Sequence, residues 1–330
     1  MHFYTGQQVG IYAWALALLA LVVVSAPASL AKPVQPAKPP TAATTIAAAT
    51  NATTKPTYAE LLKSAAPNDW RPIDNDNTLY MELATGRVVF ELALAFSPLH
   101  VANIKTLVRE GFFDGTSVMR VQENYVVQFG DADGNKPMIN GKAKLPPEFT
   151  VPLQAGMAFT PLPDADGYAK QVGFANGFHA GRDPKLKQTW LTHCTGALGV
   201  GRDNELDSGS GSELYVVTGH APRQLDRNIA LVGRIVQGMS LLTVLPRGTK
   251  EMGFYEKPEQ RVPIKSMRVA ADTPQAERSQ LEIIRTDTPR FKAMVEALRN
   301  RGGGKNDWYK VPAGYIELCN VPIAVRVKPQ

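Results

Sequence analysis

The stretch that most constrains this chain runs from Gly111 to Asp131. There a single cation, Arg120, and a single neutral amide, Gln128, stand inside two short runs rich in Val, Phe and Tyr. Runs of that composition bounded by turn residues read as strands, Ser117–Val121 and Tyr125–Phe129. A cation on an apolar strand is costly to desolvate unless it has a partner or a task. Alternate strand residues share a face, so Val126 and Gln128 point the same way, with Tyr125 at the strand entry.

The flanking sequence continues in short strands. Leu79–Leu83 and Val88–Leu92 surround the turn signal Thr85-Gly86. Ser97-Pro98 sets an N-cap and a first-turn proline for a helix carrying Val101, Ile104, Leu107 and Val108 on one face, which Gly111 ends. Gly196–Val200, Leu214–Thr218 and Ala230–Val236, the last interrupted by Gly233, read as further strands. Many short strands and few helices predict a closed all-β barrel capped by helices. No internal repeat is present.

The run Gly-Phe-Phe-Asp-Gly-Thr-Ser-Val-Met-Arg-Val-Gln-Glu-Asn-Tyr-Val-Val-Gln-Phe-Gly-Asp resembles the central motif of the cyclophilins, the peptidyl-prolyl isomerases, including the spacing of eight between Arg120 and Gln128. Further segments resemble the family: Leu198-Gly199-Val200-Gly201-Arg202, Gly211-Ser212-Glu213-Leu214-Tyr215-Val216, Leu225-Asp226, and Gly233 to Met239. Together they span about Thr78 to Leu245. The resemblance implies an eight-stranded barrel with two helices, no cofactor, and proline-containing polypeptides as substrates. It implies Arg120 and Gln128 as catalytic residues, and Tyr125, Val126, Gly201, Arg202, Glu213, Tyr215 and Leu225 as substrate-binding ones. Within that set, Tyr125, Val126 and Tyr215 would line the proline pocket, and 198–202 would hold the substrate backbone.

The chemistry suits those residue types. Rotation about an X-Pro amide faces a barrier of roughly 20 kcal/mol and breaks no bond. In the twisted amide the prolyl nitrogen becomes an acceptor, and a fixed, permanently charged guanidinium can donate to it. Departures from the family pattern are Gln224 for the pocket-rim Trp, Ile229 for a His, Glu213 for a Gln, Arg202 for an Asn, and two residues added between Gly201 and Gly211. Losing the Trp predicts weak binding of cyclosporin-type ligands. Glu213 is expected to pair with Arg120 and draw it from the proline, lowering or narrowing activity.

Plainer readings stand beside these. Arg120 could be a strand-end arginine in a salt bridge, Gln128 a satisfied core amide, and Tyr125 and Tyr215 core aromatics. His193 and Cys194 are adjacent, the wrong spacing for two ligands facing one metal. His100 is expected at the surface. Ser208 to Ser212 lacks the strand-to-helix setting of a nucleophilic serine. Gly199-Val200-Gly201 precedes no helix and is no dinucleotide fingerprint.

Outside the barrel, Ile11–Val24 is apolar and uncharged and is followed by small residues. Residues 1–31 read as a signal peptide cut after Ser29-Leu30-Ala31. Residues 10–31 as an uncleaved anchor are the alternative. Residues 32–57 read as a disordered Ala/Thr/Pro-rich linker, and a short helix follows at Tyr58–Ser64. The cyclophilin-like domain is 58–272, with an insertion at about 159–195 read as a long loop. That loop would either fold over the groove or decorate the barrel with a role in substrate selection. The extension 273–330 carries a helix opened by Thr288-Pro289 and strands at Tyr315–Leu318 and Ile323–Val327.

Export makes Cys194–Cys319 a possible disulfide, with two buried free thiols as the alternative. The net charge of +6 is spread without a run of five cations, which argues for solubility rather than nucleic-acid binding. The expected protein is therefore a periplasmic or secreted monomeric isomerase without cofactor or metal, and membrane-bound only if the N-terminal segment is kept. A non-catalytic proline-peptide-binding or chaperone module is the alternative, and an envelope scaffold protein the third reading.

Overall fold

Alternation of side chains sorts the central strands into an inner and an outer face, and the outer face carries everything of functional interest. The computed structural model describes residues 55–153, 156–302 and 308–329. The signal segment 1–31, and all but the last three residues of the linker 32–57, lie outside the described residues. No described helix is long and apolar enough to cross a membrane.

The described residues open with helix α1 (Tyr58–Lys63), started by a Thr57/Glu60 capping box, and strand β1 (Trp70–Pro72). The hairpin β2 (Thr78–Leu83) and β3 (Gly86–Leu92) follows, then helix α2 (Pro98–Arg109) and strands β4 (Ser117–Val121) and β5 (Val126–Gly130). Next come β6 (Val151–Pro152), β7 (Phe159–Pro161), β8 (Gln171–Ala175), β9 (Phe178–Asp183) and β10 (Gln188–Leu191). They lead to β11 (Ala197–Val200), β12 (Glu213–Val217), β13 (Leu231–Gln237), α3 (Met239–Thr243), β14 (Val262–Pro263) and β15 (Ser266–Val269). The tail adds β16 (Leu281–Ile284), α4 (Pro289–Arg299) and β17 (Val325–Val327).

Nine strands form one curled, half-barrel sheet in the order β14-β4-β5-β12-β11-β13-β3-β2-β15. The eight strands implied by the family become nine because the last run breaks at Ile264-Lys265. Its first piece pairs with β4 and its second with β2, so one segment reaches both edges. On the concave side Val127 and Phe129 of β5 meet Leu214 and Val216 of β12, Leu198 and Val200 of β11, and Val101, Ile104 and Leu107 of α2. Full burial of such side chains stabilises by about 1.5–3 kcal/mol each, before cavity terms.

Helix α2 starts at Pro98 as expected, but its cap differs. The Ser97 hydroxyl donates to the Leu231 carbonyl, and Glu148 accepts from the Leu99 and His100 amides instead. His100, expected at the surface, is buried, its ring held between Glu148 and the Gly209 carbonyl.

The insertion is not a loop. Strands β6-β10-β9-β8-β7 make a five-stranded antiparallel sheet. One face presents Ala175, Phe178, Ala180 and Leu191 to the outer face of the barrel, where they share a core with Val126, Tyr215, Val217 and Leu231. The other face sends Val172 and Phe174 into a core with Phe291, Met294, Val295 and Leu298 of α4. Glycine within this sheet marks close approach: a Cβ at Gly181 would lie 2.7 Å from the Trp190 indole.

In the tail, α4 begins at the Thr288 cap as expected and packs against α1. The strand expected at Tyr315–Leu318 is absent; β17 pairs with β16, which pairs with β1. Cys194 and Cys319 are joined in a disulfide 125 residues apart in sequence, tying the end of the insertion to the tail.

Candidate active site

Strand register places the key residues in one row. Arg120 faces Gln128 across β4 and β5, Gln128 faces Tyr215 across β5 and β12, and Tyr215 faces Gly199 across β12 and β11. A bulge between Val118 and Arg120 lets Val118 and Val121 point inward while Arg120 points out. The row therefore follows from alternation on β5 and β12, from the bulge on β4, and from the long-range pairing of β12 with β5.

Arg120 is 8% exposed and held on three sides. Its Nε donates to the Met252 carbonyl at 2.7 Å, Nη1 donates to Gln128 Oε1 at 3.1 Å, and Nη2 donates to Gln122 Oε1. The rings of Phe254 and Tyr125 stand 5.3 and 5.6 Å from its guanidinium carbon. Every partner is neutral. Burial lowers the Arg120 pKa below the ordinary arginine value, yet the group stays charged. Two of its five N–H groups remain for a ligand.

Gln128 is oriented from behind. Its Nε2 donates to Glu213 Oε2 at 2.8 Å, so Oε1 faces the guanidinium. Glu213 thus binds Gln128, and no ion pair joins it to Arg120, contrary to the pairing expected from sequence. The amide stands between them and takes both groups. Burial lifts the Glu213 carboxyl above the usual carboxylate range, the Gln128 bond opposes this, and Asp203 and Asp131 add to the rise.

Of the residues expected to bind substrate, Val126 and Tyr215 form the floor, 2% and 5% exposed. Tyr125, Gly201, Arg202, Glu213 and Leu225 are half-buried around it. Tyr125 precedes β5 instead of opening it, because Asn124 turns there with φ 52°. Gly199 admits the Tyr215 ring: a Cβ at that position would lie 2.2 Å from Tyr215 Cζ. The Gly201 amide donates to the Glu213 carbonyl. Arg202 donates to the carbonyls of Asn228 and Asp203. Gln224, in the place of the family's tryptophan, is exposed, and Ile229 packs beside the floor.

Sequence reasoning missed what holds the floor. The Tyr215 hydroxyl meets His193 Nε2 at 2.9 Å, and His193 Nδ1 meets Asp226 Oδ1 at 2.9 Å. A carboxylate beyond Nδ1 makes that nitrogen the donor, so Nε2 accepts from Tyr215. Asp226 also takes Arg223 Nε at 2.6 Å, and Arg223 reaches Asp166 of the insertion with both Nη atoms. The sequence signals were Arg223 and Asp226 on either side of Gln224-Leu225 and a His before Cys194. No group of three or more His, Cys, Asp or Glu is placed to hold a metal ion among the described residues.

The family model described as cyclophilin type peptidyl-prolyl cis-trans isomerase/CLD matches residues 78–269, the curled sheet together with the insertion. A probable peptidyl-prolyl cis-trans isomerase of Brucella suis biovar 1 (strain 1330) is 26% identical over 202 residues, covering 61% of this chain and 86% of that protein. Peptidyl-prolyl cis-trans isomerase-like 1 of Homo sapiens is 25% identical over 204 residues, covering 62% of this chain and 93% of that protein. The crystal structure of cyclophilin AquaCyp293 from Hirschia baltica matches with a TM-score of 0.64 and 26% identity, covering 80% of this chain and 96% of that one. The chain belongs to the cyclophilin-type peptidyl-prolyl cis-trans isomerase family.

Proposed function

We propose that the protein is an exported peptidyl-prolyl cis-trans isomerase in which Arg120 stabilises the twisted amide. The observation that carries this is the arginine's setting: a rigidly held guanidinium with neutral partners, in line with an aromatic floor. The proline ring would rest on Val126 and Tyr215, bounded by Tyr125 and Leu225. The free N–H groups of Arg120 would donate to the prolyl nitrogen as it pyramidalises, a preorganised donor aimed at an acceptor that exists only in the transition state. Gln128, fixed by Glu213, would keep the guanidinium plane from turning. The Cys194–Cys319 disulfide and the apolar run at Ile11–Val24 support export to an oxidising compartment.

A second reading, a proline-peptide-binding module without turnover, is favoured by one observation. The floor residues already share a core with the inserted sheet, which limits the depth left for a ring. A protease-coupled isomerisation assay on a short proline peptide decides between them, with Arg120→Ala as control. A rate above the spontaneous one that falls with the substitution supports the enzyme. No rate above the spontaneous one supports the binding module, and a rate that survives Arg120→Ala removes the mechanism.

A further inference from the structure

Beside the floor lies an open depression of about 350 Å³, and nothing in the isomerisation chemistry uses it. On one side stands the turn Asp226–Asn228, directly after Leu225; on the other stand Phe149 and Thr150 before β6, and Gln188 at the start of β10. The insertion supplies Gln188, and the segment leading into β6 supplies Phe149 and Thr150. Arg227 is exposed and held at φ 64°, its guanidinium carbon 4.9 Å from the Trp190 ring. Stacking uses the flat face of a guanidinium and leaves its N–H edge open.

Among the described residues Arg227 has no ion pair or hydrogen bond, and the Gln188 amide and Thr150 hydroxyl have no hydrogen-bond partner. The neighbouring cation Arg202, whose guanidinium carbon stands 5.6 Å from the Phe149 ring, binds backbone carbonyls only. Asp226, the one carboxylate lining the depression, is already satisfied by His193 and Arg223. Cationic edge, amide and hydroxyl donors converge with no anion to meet them.

We propose that this depression is a subsite for an acidic side chain, Asp or Glu, of a proline-containing substrate, with Arg227 as the recognising group. It rests on the reading of the Arg120–Tyr215 row as the proline site and adds the substrate class. The acidic residue lies close to the proline in the substrate chain, because Leu225 and Arg227 sit on one short turn.

The test uses the full chain and acetylated, amidated hexapeptides containing one proline, with Glu, Gln or Lys placed in turn at each flanking position. Dissociation constants come from NMR titration and turnover from exchange spectroscopy on the same samples. At one position the Glu peptide is expected to bind about threefold to tenfold more tightly than the Gln peptide, the span from an exposed ion pair to a charge-assisted bidentate contact. Arg227→Gln removes that difference, and Gln188→Glu turns the preference towards Lys. Equal affinity for Glu and Gln peptides at every position, or a preference untouched by Arg227→Gln, overturns the subsite. Turnover without charge preference sinks the subsite and leaves the isomerase reading standing. Charge-selective binding without turnover keeps the subsite and removes the isomerase reading.

Discussion

Arg120 and Arg223 are both buried arginines on the outer side of the same sheet, and their surroundings are opposite. Arg223 lies between the carboxylates of Asp226 and Asp166. Burial works against its charge, but the hydrogen bonds and charges of those two acids more than offset it, so its pKa stands above the ordinary arginine value. Arg120 has three acceptors and no anion, and its pKa is lowered. A guanidinium neutralised by two carboxylates has little electrostatic effect left for a ligand. One held by carbonyl and amide oxygens keeps its full charge in a weakly screening environment. Arg223 fastens the insertion to the barrel, and Arg120 has its charge available for chemistry.

The largest expected effect breaks the Arg223 side. Arg223→Ala leaves two buried carboxylates without a cation and should cost about 3–5 kcal/mol of stability, read from urea unfolding. A loss below 1 kcal/mol would mean that the insertion is not anchored there. Gly199→Ala forces a methyl into the Tyr215 ring and should destabilise by about 1–3 kcal/mol while weakening proline-peptide binding. Unchanged binding would show that the ring position does not matter to the site.

Tyr215→Phe leaves His193 Nε2 buried without its donor, for about 1–2 kcal/mol. That effect should disappear in an Asp226→Asn background if the relay is real, which a double-mutant cycle measures. The smallest effect concerns Glu213. A carboxyl whose folded pKa exceeds its unfolded value binds its proton more tightly in the native state. Its contribution is therefore fully present below the ordinary carboxylate range and is lost as pH rises through the elevated Glu213 value. Glu213→Gln should remove that pH step and raise stability at neutral pH by about 1 kcal/mol or less. An identical pH profile for both proteins would show that Glu213 titrates normally.

The two arginines also show what could be seen in the sequence. Arg120 and Gln128 sit on neighbouring strands joined by a short turn, with one bulge beside Arg120, and Tyr215 lies in a strand segment of its own, so motifs local in sequence sufficed to find them although β12 reaches β5 only after the insertion. Arg223, Asp166, His193 and Asp226 come together only after the insertion has folded, and sequence separations of up to 57 residues carry no such motif. The insertion was misread for a related reason. Its strands are short, and Gly173 and Gly181 within them resemble breakers until the neighbouring side chains are in place. His100 reads as a surface residue because its burial depends on Glu148, 48 residues away.

The most direct measurement gives Arg120 what Arg223 has. Gln122→Glu places a carboxylate against Arg120 Nη2 without touching the floor. With the fold confirmed intact by unfolding, kcat/KM for a proline peptide should fall about tenfold or more, because the counter-ion drains the charge offered to the prolyl nitrogen. A rate equal to that of the unsubstituted protein would contradict the claim that an uncompensated guanidinium is the catalytic group.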